Sequence, residues 1–257
     1  MISKSQLQYV RSLQQKKFRT LHRQFVAEGR KMIAELLNSK IQVEQIFAVA
    51  EWEAPPELSI RKSITVTSVS PKELERMSGF NTPDQVLAVA QIPDMEKLMP
   101  DQLQGLVLML DGIGDPGNFG TIVRIADWFG VETVVCSENC VEAFNPKVVQ
   151  AAMGSLFRVK VYVENLKDVL NDPARKLPVY GAVMDGENVY DQEFPPGAIL
   201  VIGSESHGIS GGVELLLDKR LTIPSAGGRA ESLNAAVAAG ILCSEFKRKT
   251  LENAGIF

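Results

Sequence analysis

The residues able to do chemistry in this 257-residue chain gather in three loops beyond residue 105. The first lies in DGIGDPGNFGTIVRIADWFG, 111–130, where glycines at 112, 114, 117 and 120 relax the backbone. Asn118 is placed to cap a following helix, and Arg124 follows six residues later, one to two turns in. The second loop, in ILVIGSESHGIS (199–210), leaves an apolar strand through Gly203 and presents Ser204, Glu205, Ser206 and His207. Bare backbone and an acid beside a strand end suit a ligand carrying amine donors and a cation. His207 invites a general-base role, but a lone His beside Gly reads more simply as loop polarity. The third, in LTIPSAGGRAESLNAAVAAG (221–240), passes Pro224 and a Gly-rich turn into a helix with Ser232 and Asn234 at its start, where caps are expected. No GxxxxGK[ST] phosphate loop occurs.

Each loop needs a strand to deliver it. Leu106–Leu110, Thr133–Cys136, Val159–Val163, Val179–Val183, Ile199–Ile202 and Leu221–Ile223 are continuous apolar runs, and helices over Gly120–Phe129, Pro146–Leu156 and Ser232–Lys249 alternate with most of them. That pattern predicts an α/β domain over 105–257 with a mostly parallel sheet covered on both faces. Ligands in such sheets bind at the carboxyl ends of the strands. The small residues of the 232–249 helix predict close packing against another helix or inside a tight crossover.

The first 95 residues read as a smaller α/β unit. A basic helix spans 4–24, with Leu7, Val10, Phe18, Leu21 and Phe25 at helix-like spacing, and a short FVAEG stretch follows it. A helix over Arg30–Leu37, strands over Ile41–Ala50, Ile64–Val69 and Gln85–Gln91, and a capping box from Ser70 to Glu73 complete the unit. The polar stretch 92–105 reads as a linker.

Charge is unevenly spread. Residues 1–31 carry eight Lys/Arg against Glu28 alone, a local +7 on a chain of net charge −4. Lys16, Lys17, Arg19 and Arg23 form the densest part and are the predicted phosphate contacts. No apolar run approaches the roughly 18 residues of a membrane span, and the start lacks a secretory apolar core. Cys136, Cys140 and Cys243 form no CxxC pair. The expectation is a cytoplasmic protein with reduced thiols, no metal site and no membrane partner.

Together the three loops resemble the signature motifs of SpoU-type RNA ribose 2′-O-methyltransferases, of the knotted SPOUT class. The match is carried by Asn118-Phe-Gly…Arg124-Ile-Ala-Asp, by Gly203-Ser-Glu205-Ser-His-Gly208-Ile, and by Ile223-Pro224…Ser232-Leu233-Asn234. FNPKVVQAAMGSLFRVKV (144–161) is similar to the family's connecting segment. FVAEGRKMIAELL and SVSPKELERMSGFNTPDQVLAVA resemble its ribosomal-protein-like substrate-binding domain. Two departures stand out: Ser225 where the family commonly has Met, and a 226–231 loop about one residue longer.

The resemblance implies an enzyme that uses S-adenosylmethionine to methylate RNA, ribosomal RNA ahead of transfer RNA. It implies a trefoil knot and a homodimer in which the partner supplies part of the site. Gly203, Ile223 and Leu233 would hold the cofactor through backbone groups, and Asn118, Arg124, Glu205, Ser232 and Asn234 would form the reacting site. A guanidinium is a poor literal base, so Arg124 is expected to clamp a phosphate and stabilise the developing alkoxide. The alternatives are a non-catalytic RNA-binding relative and, further off, a nucleotide-dependent oxidoreductase.

Overall fold

In the computed structural model, residues 2–61, 64–228 and 231–253 are described. The chain divides into two units: residues up to Asp94 together with Glu142–Arg158, and Met95–Val141 together with residues from Val159 onward.

The single basic helix expected over 4–24 is two helices, Lys4–Ser12 (α1) and Lys16–His22 (α2). The break frees backbone carbonyls, and Arg19 takes one: its Nη1 donates to the Leu13 carbonyl at 2.8 Å. The same guanidinium is 1% exposed and grips both carboxylate oxygens of Glu142, at 3.0 and 2.7 Å. Arg19 is therefore a buried structural cation. The expectation that it meets RNA phosphate is corrected, because it could do so only by stranding Glu142.

The unit continues as Gln24–Glu28 (β1), Arg30–Asn38 (α3), Val43–Ala48 (β2), Pro56–Ile60 (α4), Thr65–Ser68 (β3), Pro71–Met77 (α5) and Val86–Gln91 (β4). Its sheet has the order β1-β4-β2-β3, antiparallel except for the β2–β3 pair. The FVAEG stretch is thus a strand, with Phe25, Val26 and Ala27 buried. The capping box before α5 is present, with Ser70 and Glu73 exchanging backbone and side-chain bonds at 3.3 and 2.8 Å.

The second unit begins earlier than the expected linker allows. Leu98 and Leu103 are buried in its core beside Val107 and Val179. Leu106–Asp111 (β5), Pro116–Trp128 (α6) and Thr133–Cys136 (β6) follow. Pro146–Ala152 (α7) interrupts them and packs with the first unit. Phe25 meets Phe144 and Phe157 with ring centroids 4.7 and 6.1 Å apart, and Arg158 pairs with Glu35. Lys160–Val163 (β7), Leu166–Asn171 (α8), Val179–Asn188 (β8), Ala198–Gly203 (β9), Gly211–Glu214 (α9), Lys219–Thr222 (β10) and Ala235–Asn253 (α10) complete the chain.

The second sheet runs β10-β8-β9-β5-β6-β7 with every pair parallel. All of β5 is buried, as a strand covered on both faces must be. From β5 the chain steps outward through β6 to β7, then returns to place β9 on the other side of β5. This reversal opens a crevice at the carboxyl ends of β5 and β9. Among the described residues, no helix is long and apolar enough to cross a membrane.

Breaking the buried Arg19–Glu142 pair tests this account of the first unit. Arg19→Ala should lower the free energy of unfolding by about 3–5 kcal/mol, because a carboxylate is left with no partner. Urea unfolding measures it, and Arg19→Met with Glu142→Leu should recover much of the loss. An alanine variant with unchanged stability would mean that the pair holds nothing together.

Candidate active site

The loop after β5 turns at Gly112, whose N–H donates to Ser137 Oγ at 2.9 Å. The cap of α6 is Asp115, not the expected Asn118: the Asp115 carboxylate accepts the Asn118 N–H at 2.8 Å, and Pro116 takes the first helical position. Asn118 is thereby released from capping. Its side-chain Nδ2 donates to Glu205 Oε1, and its Oδ1 accepts from Asn234 Nδ2 at 2.8 Å.

The loop after β9 is a tight return. Ser204 and Gly208 exchange backbone hydrogen bonds at 3.0 and 2.9 Å. A Cβ on Gly203 would fall 2.1 Å from the Gly208 carbonyl carbon, so only glycine fits this corner. Buried Asp111, at the end of β5, accepts the Ser210 N–H at 2.7 Å and ties the return to the first loop. His207 is exposed, with Nδ1 2.7 Å from Ser206 Oγ, and does not line the cavity described below.

In the third loop, α10 begins at Ala235, and Asn234 caps it by accepting the Ala236 and Val237 N–H groups at 2.9 and 3.2 Å. Ser232 makes no cap; it faces the cavity. Ser225 Oγ accepts the Gly227 N–H at 3.3 Å, which gives the departure at 225 a local role in shaping the loop. Residues 229–230 of the longer 226–231 loop lie outside the described residues.

The second and third loops enclose a cavity of about 530 Å³. Gly203, Glu205, Ile223, Ser232 and Leu233, singled out in the sequence, all line it. Ala182, Val183 and Met184 on β8 also line it, and their residue types carry no signal beyond that of an apolar strand. Asn118 and Asn234 are joined to the cavity through Glu205. Arg124 is not brought in. It stands six residues beyond Asn118 on α6, about 120° away around the axis. It is exposed, and among the described residues it has no hydrogen bond or ion pair. Lys16, Lys17 and Arg23 belong to the other unit, where Arg23 pairs with Asp94 at 2.5 Å.

The lining argues about the ligand. Glu205 is the one acidic side chain among the described lining residues, and no Lys or Arg accompanies it there. The glycines at 112, 114 and 117 have dinucleotide-fingerprint spacing, yet the helix N-terminus that would cradle a pyrophosphate carries the Asp115 carboxylate. An oxidoreductase reading fails on that charge. A mostly apolar cavity with one acid suits an uncharged ring system attached to a cation.

Comparison with known proteins agrees. Residues 105–244 match the SpoU rRNA Methylase family, and residues 4–88 match an MRM3-like substrate binding domain. The chain is 34% identical to the Bacillus subtilis 23S rRNA (guanosine(2553)-2′-O)-methyltransferase RlmP, over 90% of this chain and 92% of that protein. It is 31% identical to the mitochondrial rRNA methyltransferase 3 of Xenopus laevis, over 93% and 72%. A solved TrmH-family structure from Porphyromonas gingivalis superimposes with a TM-score of 0.85 at 38% identity, over 97% of this chain and 99% of that one. An AdoMet-bound rRNA methyltransferase from Sinorhizobium meliloti gives 0.83 at 25% identity, over 96% of each chain.

The Gly203 corner yields a stability test. Gly203→Ala should lower stability by about 1–3 kcal/mol, the scale of forcing extra atoms into a packed site, since the clash is with backbone that cannot rotate away. Thermal unfolding reads the loss. Parent-like stability would mean that the 204–208 return opens freely.

Proposed function

The chain belongs to the SpoU rRNA methylase family, and from that premise we propose how its residues transfer a methyl group from S-adenosylmethionine to a ribose 2′-hydroxyl of ribosomal RNA. The observation that carries the proposal is the hydrogen-bonded chain from Asn234 through Asn118 to Glu205, which joins all three loops beside the cavity.

The residues present fit the cofactor. A cavity of about 530 Å³ with apolar walls at Ile202, Ile223 and Leu233 suits an adenosyl group. Backbone groups around Gly203, Ile223 and Leu233 would hold it, and the Glu205 carboxylate complements its positive charge. When bound, S-adenosylmethionine supplies a methyl carbon activated by its sulfonium.

The protein's own task is alignment and charge. Asn118 and Asn234 fix Glu205, and Ser232 offers a hydroxyl at the same wall, so the incoming ribose meets a set surface rather than mobile side chains. Arg124 clamps a substrate phosphate and stabilises the alkoxide as it forms, while the proton leaves to phosphate or water. Its exposure, with no partner among the described residues, supports a role toward a group outside the chain.

A homodimer accounts for that placement. α6 and α10 pack closely, a Cβ at Gly240 lying 3.5 Å from Ile125 Cδ1. Both helices leave apolar side chains in water, Trp128 at 84% exposure and Val237 at 50%. We assign this surface to the partner subunit and Arg124 to the site it completes. The unit up to Asp94 is assigned to RNA binding, in keeping with its match to a substrate binding domain. The same reading extends to a trefoil knot, from the family likeness, and to a cytoplasmic setting, from the free cysteines.

Two measurements test the reading. Incubated with labelled S-adenosylmethionine and unmethylated ribosomal RNA, the protein should leave a 2′-O-methyl mark at a discrete nucleotide; incorporation at a base, or none, sinks it. Arg124→Ala should keep cofactor affinity while turnover drops roughly 10²-fold or more, and Arg124→Lys should rescue little. Near-normal single-turnover methylation by the alanine variant would remove Arg124 from the site.

A further inference from the structure

Burial and pairing trim the basic end of the chain. Arg19 is enclosed with Glu142, Arg23 pairs with Asp94, and Arg30 pairs with Asp84. Lys16 and Lys17 remain exposed on α2 and, among the described residues, without an ion pair. The free positive charge is therefore narrower than the sequence suggests; Lys4, Arg11 and Lys31 also stay exposed, while Lys16 and Lys17 sit on the helix that carries a group of aromatic rings.

Phe18 and His22 stand four residues apart on α2, so they share one face of that helix. Their rings are near parallel, at 11°, with centroids 6.5 Å apart. Tyr9 of α1 meets His22 edge-on at 5.0 Å and 81°, and the Tyr9 hydroxyl donates to the Gln24 side chain, which fixes it. The Lys17 ammonium lies 5.8 Å from the Phe18 ring centroid. This is not core packing of the usual kind. His22 is exposed, Phe18 only half-buried, and the neighbouring Leu21 is 68% exposed.

Flat π surfaces flanked by free cations match one chemistry well. Bases stack on aromatic side chains whatever their sequence, while Lys meets the phosphates between them. Paired bases keep their faces inside the helix stack, so such a surface selects unpaired nucleotides. We propose that Phe18 and His22, flanked by Lys16 and Lys17, form a stacking site for an unpaired nucleotide of the RNA substrate. This rests on the reading above that RNA is the substrate, and adds which part of it the first unit takes.

The test uses the full chain with two probes, a labelled oligoadenylate and a blunt RNA duplex of equal length. The parent protein should prefer the oligoadenylate. Phe18→Leu keeps an apolar side chain but removes the flat face; it should weaken oligoadenylate binding by roughly tenfold, from the stacking scale of about 1–3 kcal/mol per base. Duplex binding and the salt slope should not change, because no charge is lost. Phe18→Trp should restore the preference, and His22→Gln should weaken it without touching the half-buried ring. Lys16→Gln should instead weaken both probes and flatten the slope.

Loss of both probes together with a lower unfolding midpoint in Phe18→Leu would make the ring structural and overturn the proposal. So would parent-like binding of oligoadenylate by Phe18→Leu, or a parent protein that prefers duplex. Methylation of ribosomal RNA is scored separately. A parent protein that methylates but shows no single-strand preference loses the stacking site and keeps the function; the reverse result loses only the function.

Discussion

Asn234 Oδ1 accepts the first free N–H groups of α10, and the orientation of every other amide at the site follows from that commitment. A side-chain amide has one acceptor end and one donor end. With its oxygen held by the helix, Asn234 must turn its Nδ2 outward, and Asn118 Oδ1 receives it. Asn118 then has only its own Nδ2 to offer, and Glu205 takes it. The direction runs one way, from a helix terminus to a carboxylate, and it leaves no amide free to flip. Three loops far apart in sequence are held in one register by this polarity.

The support beneath that chain is also polar. Asp111 binds the Ser210 N–H from the end of β5, and Ser137 receives the Gly112 N–H from the end of β6. Both bonds lie where parallel strands stop and backbone groups lose their ladder partners. Gly203 completes the arrangement by allowing the return 204–208 to fold back against its own strand. The cavity is thus shaped by backbone and small side chains, while one carboxylate sets its charge.

Much of this was legible in the residues. The six parallel strands announced themselves as continuous apolar runs, and Thr133–Cys136 has the expected bounds. The capping box at Ser70 is a local pattern with a local cause, so it could be read locally. What escaped depends on contacts distant in sequence. Arg19 reads as surface charge until Glu142 arrives from 123 residues away. Phe144 and Phe157 read as part of the second domain, yet Phe25 is their neighbour. β1 is too short and too evenly apolar to be told from helix until β4 pairs with it. Ala182–Met184 carry no polar group that could have flagged a cavity wall.

The misplaced cap at Asn118 is the instructive case, because two residues competed for one position. Asn, Asp and Ser are near-equal caps, so the sequence Asp115-Pro-Gly-Asn118 permits either. Proline decides. It lacks an N–H and has the φ that the first helical position requires, so Pro116 draws the helix start back and Asp115 becomes the cap. Had Asn118 been the cap, its oxygen would have been shared with the N–H groups of α6. Its side chain would then have been turned to the helix start, and the centre of the three-loop chain would have been weakened. One proline two residues upstream therefore determines whether Asn118 serves a helix or the site.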